Sequence, residues 1–472
     1  MPHRPGLALI VFLALPAQAG TQPQKHPEER PGERPGERHW LAGDHHVHSR
    51  YSGRFKDGQY VLGTDGIYPL SRNAEEARRY GLSWMAAIDH GGLNLSKQRF
   101  EQEYPELLAA RTAVPDVIQF FGMELDTPGG DHSSLVMPMN AGEREGLRHF
   151  EQTYAADEVE DPARDTTAKM LDMLREMEAS PAKPLAFANH PSRSAYGLRD
   201  YHGHTPAELR AWNDTAPDIA IGMEGAPGHQ GTALKPGVTP ETLRARGYYV
   251  KSPTYGGFDA MTATVGGVWD SFLGEGRHFW ITASSDSHRN IADGGEDFWP
   301  GQYAKTWVLA QKTPEDIMDG LRHGRIFVTT GDLVSELDMD VAGANIGGTA
   351  RVRRGQTVTV KVRLRDPAGA NAHGDHPQVK RVDLIMGDVT GKAVGDSDTN
   401  STTHVVRRFT PADWQRDGEI ITFSYRFRAD KPAYIRLRGT STNELEPTAD
   451  PVREDPWPDL WVYANPVFIE VK

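Results

Sequence analysis

Phe279-Trp280-Ile281-Thr282-Ala283-Ser284-Ser285-Asp286-Ser287-His288-Arg289 is the stretch whose reading decides the fold. An apolar run, Phe279 to Ala283, ends in a polar island in which Asp286 and His288 stand two residues apart. His46-Val47-His48 repeats that spacing far earlier in the chain. Side chains two apart on a strand point the same way, so each pair offers two ligand atoms to one point in space. Working outward from these two stretches, other apolar runs end in the same way. Trp84 to Ile88 leads into Asp89-His90, Val117 to Phe121 into Glu124, Leu185 to Ala188 into His190, and Ile219 to Met223 into Glu224. Between them lie helical patterns over Asn73 to Tyr80, Thr166 to Glu178, Pro206 to Trp212 and Pro314 to Arg322. Short apolar runs alternating with helices predict parallel strands joined by crossover helices, and polar residues at the C-terminal ends of such strands are where β/α barrels carry their active sites.

The barrel pattern closes with Arg325 to Thr330 and Gly331-Asp332. Beyond it, alternating runs (Thr357 to Leu364, Arg381 to Met386, Ile420 to Phe427, Tyr434 to Arg438, Val467 to Val471) separated by Gly, Pro, Asn and Asp predict an all-β, sandwich-like domain. The expected fold class is therefore α/β: a β/α-type barrel over residues 40–335, followed by a β-sandwich over 336–472. Trp457, Trp461 and Tyr463 are expected to lock the last strand onto a core.

The first nineteen residues read as a cleaved export signal, with Arg4, an apolar stretch from Leu7 to Leu15, and Ala17-Gln18-Ala19 before Gly20. That stretch is too short to span a bilayer. Residues 20–39 read as a flexible tether, in which PGER occurs at Pro31 and again at Pro35. A periplasmic or secreted protein, with no transmembrane segment after signal cleavage, is the expectation.

With 472 residues, 38% hydrophobic and 25% charged, the chain has the composition of a globular protein able to bury a large core. Its formal charge of −13 argues against a nucleic-acid scaffold, because polyanions are bound by neutralising phosphates with Lys and Arg. A small-molecule ester held locally by a metal is the partner expected instead. The chain has no cysteine, which excludes a thiolate zinc site and leaves an imidazole and carboxylate donor set.

Each island carries a role. His46, His48, Asp286 and His288 form the two ligand pairs. Glu124 is the candidate bridging carboxylate, since its two oxygens are able to bind different ions. His190 precedes Pro191, which restricts the backbone beside it, and His132 stands in a Gly129-Gly130-Asp131 loop. Asp89 with His90 reads either as two ligands or as a ligand with an orienting carboxylate. Glu224 with His229 is the weakest island, a glutamate in a Gly-rich turn. Arg193 and Arg289 sit one step from the ligands and suit an oxyanion. His45, His202, His204 and His278 read as packing or polar histidines. Asp89 and His229 are the candidates for relaying a proton to the leaving oxygen.

Taken in order, GDHHVHS (43–49), AIDH (87–90), GMELD (122–126), a later histidine, ANHPSR (188–193), GMEG (222–225) and SSDSHR (284–289) resemble the motifs of the PHP (polymerase and histidinol phosphatase) superfamily, over Leu41 to Asp332. GRIFVTTGD (324–332) and WVYANPVFI (461–469) resemble its exported CehA/McbA-type metallohydrolases. The resemblance implies a distorted seven-stranded barrel and metal-dependent hydrolysis, chiefly of phosphoesters. It also implies two or three divalent ions, with zinc, manganese and iron all compatible with these donors. His46, His48, Glu124 and Asp286 would hold one ion, Glu124 with His132 and His190 a second, and His90 with His288 a third. The third ion also calls for a His or Asp shortly after the HxH pair. Here Ser52 is followed by Gly53, and Asp57 is the candidate substitute. The expected function is phosphomonoester or phosphodiester hydrolysis by a metal-bridged hydroxide. Carbamate or carboxylester hydrolysis on the same centre is the alternative, and a non-catalytic envelope- or glycan-binding protein is a third reading.

Overall fold

The protein is seen here in a computed structural model that describes residues 36–193, 195, 201, 203–228, 252–289, 298–392, 397–451 and 455–472. The expected signal peptide, most of the expected tether and His229 lie outside these residues. The strands in chain order are β1 (His39–Val47), β2 (Arg54–Lys56), β3 (Gln59–Val61), β4 (Trp84–His90), β5 (Ile118–Asp126), β6 (His132–Val136), β7 (Leu185–Ala188), β8 (Ala220–Ala226), β9 (Trp280–Ala283), β10 (Ala304–Ala310), β11 (Ile326–Thr330), β12 (Glu336–Val341), β13 (Thr349–Val352), β14 (Gln356–Arg365), β15 (Arg381–Asp388), β16 (His404–Phe409), β17 (Gln415–Asp417), β18 (Ile420–Ala429), β19 (Ala433–Thr440) and β20 (Trp461–Val471).

One large sheet runs β16-β15-β19-β20-β11-β10-β1-β4-β5-β6-β7-β8-β9, with β13 beside β20. β1, β4 and β5 are mutually parallel, as are β7, β8 and β9. β6 lies antiparallel between β5 and β7, which brings those two sets into the same direction. The strand ends carrying the polar islands therefore emerge at one end of the sheet. Because β6 runs the other way, its first residue, His132, arrives at that end too. β10 is likewise antiparallel to β1, so the sheet is mixed where the sequence predicted parallel strands.

Helices cover this sheet, and their starts follow from capping chemistry. Thr166 and Thr313 accept hydrogen bonds from the third backbone N–H of the helices they precede, Thr167–Ala179 and Pro314–Arg322. Thr205 and Glu208 form a reciprocal capping box before Pro206–Thr215. Apolar side chains from both faces of the sheet, including Trp84, Phe120, Phe187, Trp212 and Trp280, join one continuous core. Gly43 is required there, since a Cβ on it would lie 1.9 Å from the Trp84 indole.

Where β9 faces β10 and β20, side chains stand in for a backbone ladder. Thr306 Oγ1 accepts from Ala283 N–H at 2.7 Å and donates to Ala283 O at 2.6 Å. Asn465 does the same for Ile281, its Oδ1 accepting from the N–H at 2.9 Å and its Nδ2 donating to the carbonyl at 3.2 Å. Just past β9, Asp286 N–H donates to His46 O and His48 N–H to Ser287 O, both at 3.0 Å, which ties the two ligand pairs together through their backbones.

The C-terminal strands differ from the arrangement expected of a separate sandwich. Only β12-β14-β18-β17 form a sheet of their own. β13, β15, β16, β19 and β20 extend the main sheet, because β20 pairs with the edge that β11 would otherwise expose. The second sheet packs its apolar face, including Val360, Val362 and Phe423, into the same core. At the N-terminal side, Arg38 forks onto Asp316 at 2.7 and 2.9 Å, so the last residues of the expected tether are already anchored.

Candidate metal centre

Glu124, at the end of β5, is almost wholly buried and reaches five imidazoles. Its Oε1 lies 3.3 Å from His46 Nε2, 3.0 Å from His132 Nδ1 and 3.1 Å from His190 Nε2. Its Oε2 lies 3.4 Å from His48 Nε2 and 2.9 Å from His90 Nδ1. Asp286 closes the other side, its Oδ1 standing 3.2 Å from His46 Nε2 and 3.1 Å from His48 Nε2. His288 Nε2 stands 3.4 Å from His90 Nε2. All eight residues expected as ligands thus meet in one cluster: His46, His48, His90, Glu124, His132, His190, Asp286 and His288.

Two of them sit on unusual backbone. His190 has φ of 29° and Asp286 of 49°, a region that costs a residue with a side chain about 1–3 kcal/mol and persists only where its surroundings enforce it. Here the enforcement is visible, since His190 N–H donates to Glu224 Oε2 at 2.6 Å and Asp286 N–H to His46 O at 3.0 Å.

The donors fit divalent ions. The Nε2 atoms of His46 and His48 face each other at 2.9 Å with Glu124 and Asp286 oxygens around them, which gathers nitrogen and carboxylate donors about one point. Three sets of ligand atoms each lie within 4.8 Å of one another: His46, His48 and Glu124; His90, Glu124 and His132; and His48, His90 and His288. Nitrogen and carboxylate donors at that density suit zinc, manganese or iron.

The electrostatics follow from the crowding. Burial alone would raise the Glu124 carboxyl, but His132, His46 and His90 hold it well below the ordinary range. Burial opposes charge on His90 and His132, yet Glu124 and the outer carboxylates lift them to about 10 and about 9. His190 goes the other way, pushed down to about 4 by burial and the Arg193 charge. Filling the centre with cations therefore means displacing protons from imidazoles.

A ring of carboxylates orients these ligands. Glu224, read from sequence as the weakest island, accepts from His46 Nδ1 at 2.7 Å, from His190 N–H and from Ser284 Oγ. Asp126 stands 3.0 Å from His132 Nε2, which turns Nδ1 toward Glu124. Asp65 Oδ2 lies 3.4 Å from His90 Nε2. Asp65, and not Asp57, is thus the acid that faces the third set of ligands. Asp57 lies in the turn between β2 and β3, whereas this hairpin delays Asp65 in sequence and returns it to the site. The signal available was Thr64-Asp65-Gly66, an acid before a glycine just ahead of the first helix.

Two roles assigned from sequence change. Asp89 does not face the cluster; it accepts from Ser49 N–H at 2.7 Å, Ser49 Oγ at 2.6 Å and Ser52 Oγ at 2.6 Å, so it positions other groups instead of relaying a proton to a leaving oxygen. Arg289 gives Nε and Nη2 to the carbonyls of Asp65 and Thr64 at 3.0 and 2.6 Å, which holds the Asp65 loop and turns those donors away from a reacting oxyanion. His229, the other proton-relay candidate, lies outside the described residues. Arg193 keeps its expected place, with Nη1 3.4 Å from His190 Nε2 and Nη2 on Asp131. Three of the histidines read as packing or polar make such contacts: His45 bonds Thr282 and stacks on Phe187, His204 bonds the His132 carbonyl, and His278 stacks on Trp280, while His202 lies outside the described residues.

Beside His132 opens a cleft of about 860 Å³. Its lining includes Asp126, Asp131, Asp157, Glu160, Asp161 and Asp165 together with Leu93, Val159 and Pro162.

No protein-family model matches the chain, and no curated protein matches it. Among solved structures it is similar to a two-domain protein containing a predicted PHP-like metal-dependent phosphoesterase from Bacteroides vulgatus ATCC 8482, at 15% identity over 87% of this chain and 93% of that one, with a TM-score of 0.40. It is also similar to Endonuclease Q, seen in complex with a 27-mer duplex carrying an abasic lesion, at 12% identity over 61% of this chain and 56% of that one, with a TM-score of 0.33. An amidohydrolase from Chromobacterium violaceum is a further likeness, at 13% identity over 54% of this chain and 90% of that one, with a TM-score of 0.27.

Proposed function

We propose that this protein is a metal-dependent hydrolase of the PHP type that cleaves phosphoesters of small molecules. The observation that carries the reading is Glu124: one buried carboxylate within 3.4 Å of five imidazole nitrogens is built to bridge cations. His46, His48 and Asp286 would hold one ion with Glu124, and His132 and His190 a second. Asp65, His90 and His288 would hold a third. Divalent ions there supply Lewis acidity and lower the pKa of water, the chemistry that hydrolysis needs.

The chain's own residues do the rest. Glu224 and Asp126 fix the ring orientation of His46 and His132. Arg193, anchored by Asp131, stands at the edge of the cluster where it would meet the charge that develops on a phosphoryl oxygen. The cleft beside His132 has the volume of a small-molecule site. The chain charge of −13 disfavours a nucleic-acid polyanion as substrate. The seven-stranded barrel belongs to this proposal, supported by the shared direction of β1, β4, β5, β7, β8 and β9 and by the Thr306 and Asn465 contacts beside β9. So does a C-terminal region from about residue 336, in which β12-β14-β18-β17 form one sheet while β13, β15, β16, β19 and β20 extend the main one. Export to the periplasm or medium is proposed from the first nineteen residues, and a mature N-terminus at Gly20 would support it.

The test is metal content of protein purified without added ions, followed by assay on p-nitrophenyl phosphate, bis-p-nitrophenyl phosphate, and naphthyl ester and carbamate. Bound divalent metal with turnover of a phosphate substrate is expected. Turnover confined to the carboxyl compounds would move the reading to carbamate or ester hydrolysis, and absence of bound metal would revive a non-catalytic binding role.

A further inference from the structure

Of the histidines that face Glu124, His48 is distinctive in being backed by a hydroxyl. Its Nδ1 lies 2.8 Å from Ser52 Oγ, and that hydroxyl donates to Asp89 Oδ1 at 2.6 Å. The backbone N–H of His90 donates to the same Oγ at 3.2 Å. His48 and Asp89 are fully buried and Ser52 is 1% exposed, so bulk solvent does not reach these bonds.

The bookkeeping determines the direction of each bond. A hydroxyl has one proton and two lone pairs. The Ser52 proton goes to Asp89 Oδ1. One lone pair takes the His90 N–H. The remaining lone pair faces His48 Nδ1, which must then carry the proton. With the proton on Nδ1, Nε2 is the atom left to offer a lone pair to a cation between Glu124 and Asp286. Asp89 is itself held by Ser49 N–H at 2.7 Å and Ser49 Oγ at 2.6 Å, so it keeps its place whether or not Ser52 has a hydroxyl.

We infer that Ser52 and Asp89 form a two-bond relay that fixes the tautomer of His48 and thereby sets the affinity of the centre for its divalent ions. Ser52 and Asp89 are positioning residues in this relay. The inference rests on the reading of the cluster as a metal centre. Glu224 does for His46 in one step what Asp89 does for His48 through Ser52. Partners of this kind orient a ligand ring and raise its basicity, and losing one typically weakens metal binding about 10–100-fold.

The experiment is zinc titration of the chelator-stripped full chain in competition with a chromophoric chelator. Ser52→Ala should bind zinc about 10–100-fold more weakly, while Ser52→Thr, which keeps the hydroxyl, should stay within a few-fold of the parent. Asp89→Asn should weaken binding as Ser52→Ala does. The double variant S52A/D89N should be no weaker than the weaker single one, because both substitutions cut one path. Circular dichroism of each stripped variant checks the fold; should Asp89→Asn fail to fold, the Ala and Thr variants at Ser52 still decide the matter. Parent-like affinity in a folded Ser52→Ala variant, or losses that multiply in the double variant, would overturn the relay alone. A parent chain that binds neither zinc nor manganese would instead overturn the metal centre and the relay with it.

Discussion

Glu224 Oε1 accepts a hydrogen bond from His46 Nδ1 at 2.7 Å, joining the end of β8 to the end of β1. The same carboxylate takes the backbone N–H of His190 on its other oxygen at 2.6 Å, so a single acid orients one ligand ring and the strained backbone of a second. Burial alone would raise this carboxyl, but His46 leads the surrounding imidazoles in holding it down at about 2.

Glu224→Gln should therefore weaken metal binding about 10–100-fold without unfolding the chain. The amide has one acceptor oxygen where the carboxylate has two, so either His46 or His190 loses its partner. Chelator competition on the stripped protein measures the affinity, and an unchanged value would show that Glu224 only packs.

Replacing Glu124 goes further, because no other carboxylate reaches both His90 Nδ1 and His190 Nε2 among the contacts described. Glu124→Gln should lower the number of ions bound per chain and abolish turnover even in metal-replete buffer. Mass-spectrometric metal analysis beside the phosphatase assay checks both, and full stoichiometry would contradict a bridging role.

Arg193 is expected to act on the substrate and not on the metal. Arg193→Ala should cut kcat about 10²-fold, the order seen when one donor to a developing oxyanion is lost, while metal content stays at the parent level. Asp131→Asn, which removes the anchor of the guanidinium, should produce a smaller loss of the same kind. A drop in metal content in either variant would place Arg193 with the ligands instead.

The metal-free protein should lose stability as pH rises from about 6.5 to about 10. His90 and His132 titrate at about 10 and about 9 when folded, above the ordinary 6.5. Groups raised in this way contribute stability that is complete below about pH 6.5 and lost as pH climbs through the folded values. Calorimetry of stripped protein should show Tm falling across that window. The metal-loaded protein should lack this fall, since ligand imidazoles are already neutral.

Asn465→Ala tests the tie between the last strand and β9. It leaves the N–H and carbonyl of Ile281 buried without the partners that Asn465 supplies, at a cost of about 1–3 kcal/mol. Urea denaturation should report a lower midpoint, and an unchanged one would mean that the β20 backbone pairing alone holds the edge.

Much of the site was legible in the chain because its chemistry is local. An apolar run followed by His, Asp or Glu marks a strand end, and the runs before His90, Glu124 and His190 are β4, β5 and β7 in the structure. His132 was read as a loop residue because β6 is short and follows a glycine-rich turn, so its periodicity was weak. Glu224 looked like a turn glutamate for a similar reason, since its function lies wholly in residues distant along the chain. Asp65 was missed because a hairpin separates it from the HxH pair that it serves.

The sequence by itself determined the donor chemistry, a thiol-free set of imidazoles and carboxylates, and the strand ends on which those donors sit. Both are properties of residue type and short-range pattern. Only the tertiary structure decided which strands neighbour one another, that β20 joins the main sheet at β11, and that Asp89 backs a ligand while Asp65 faces one. Strand pairing and side-chain direction arise from backbone hydrogen bonds and packing between segments far apart in the chain, and no local pattern of residues encodes them.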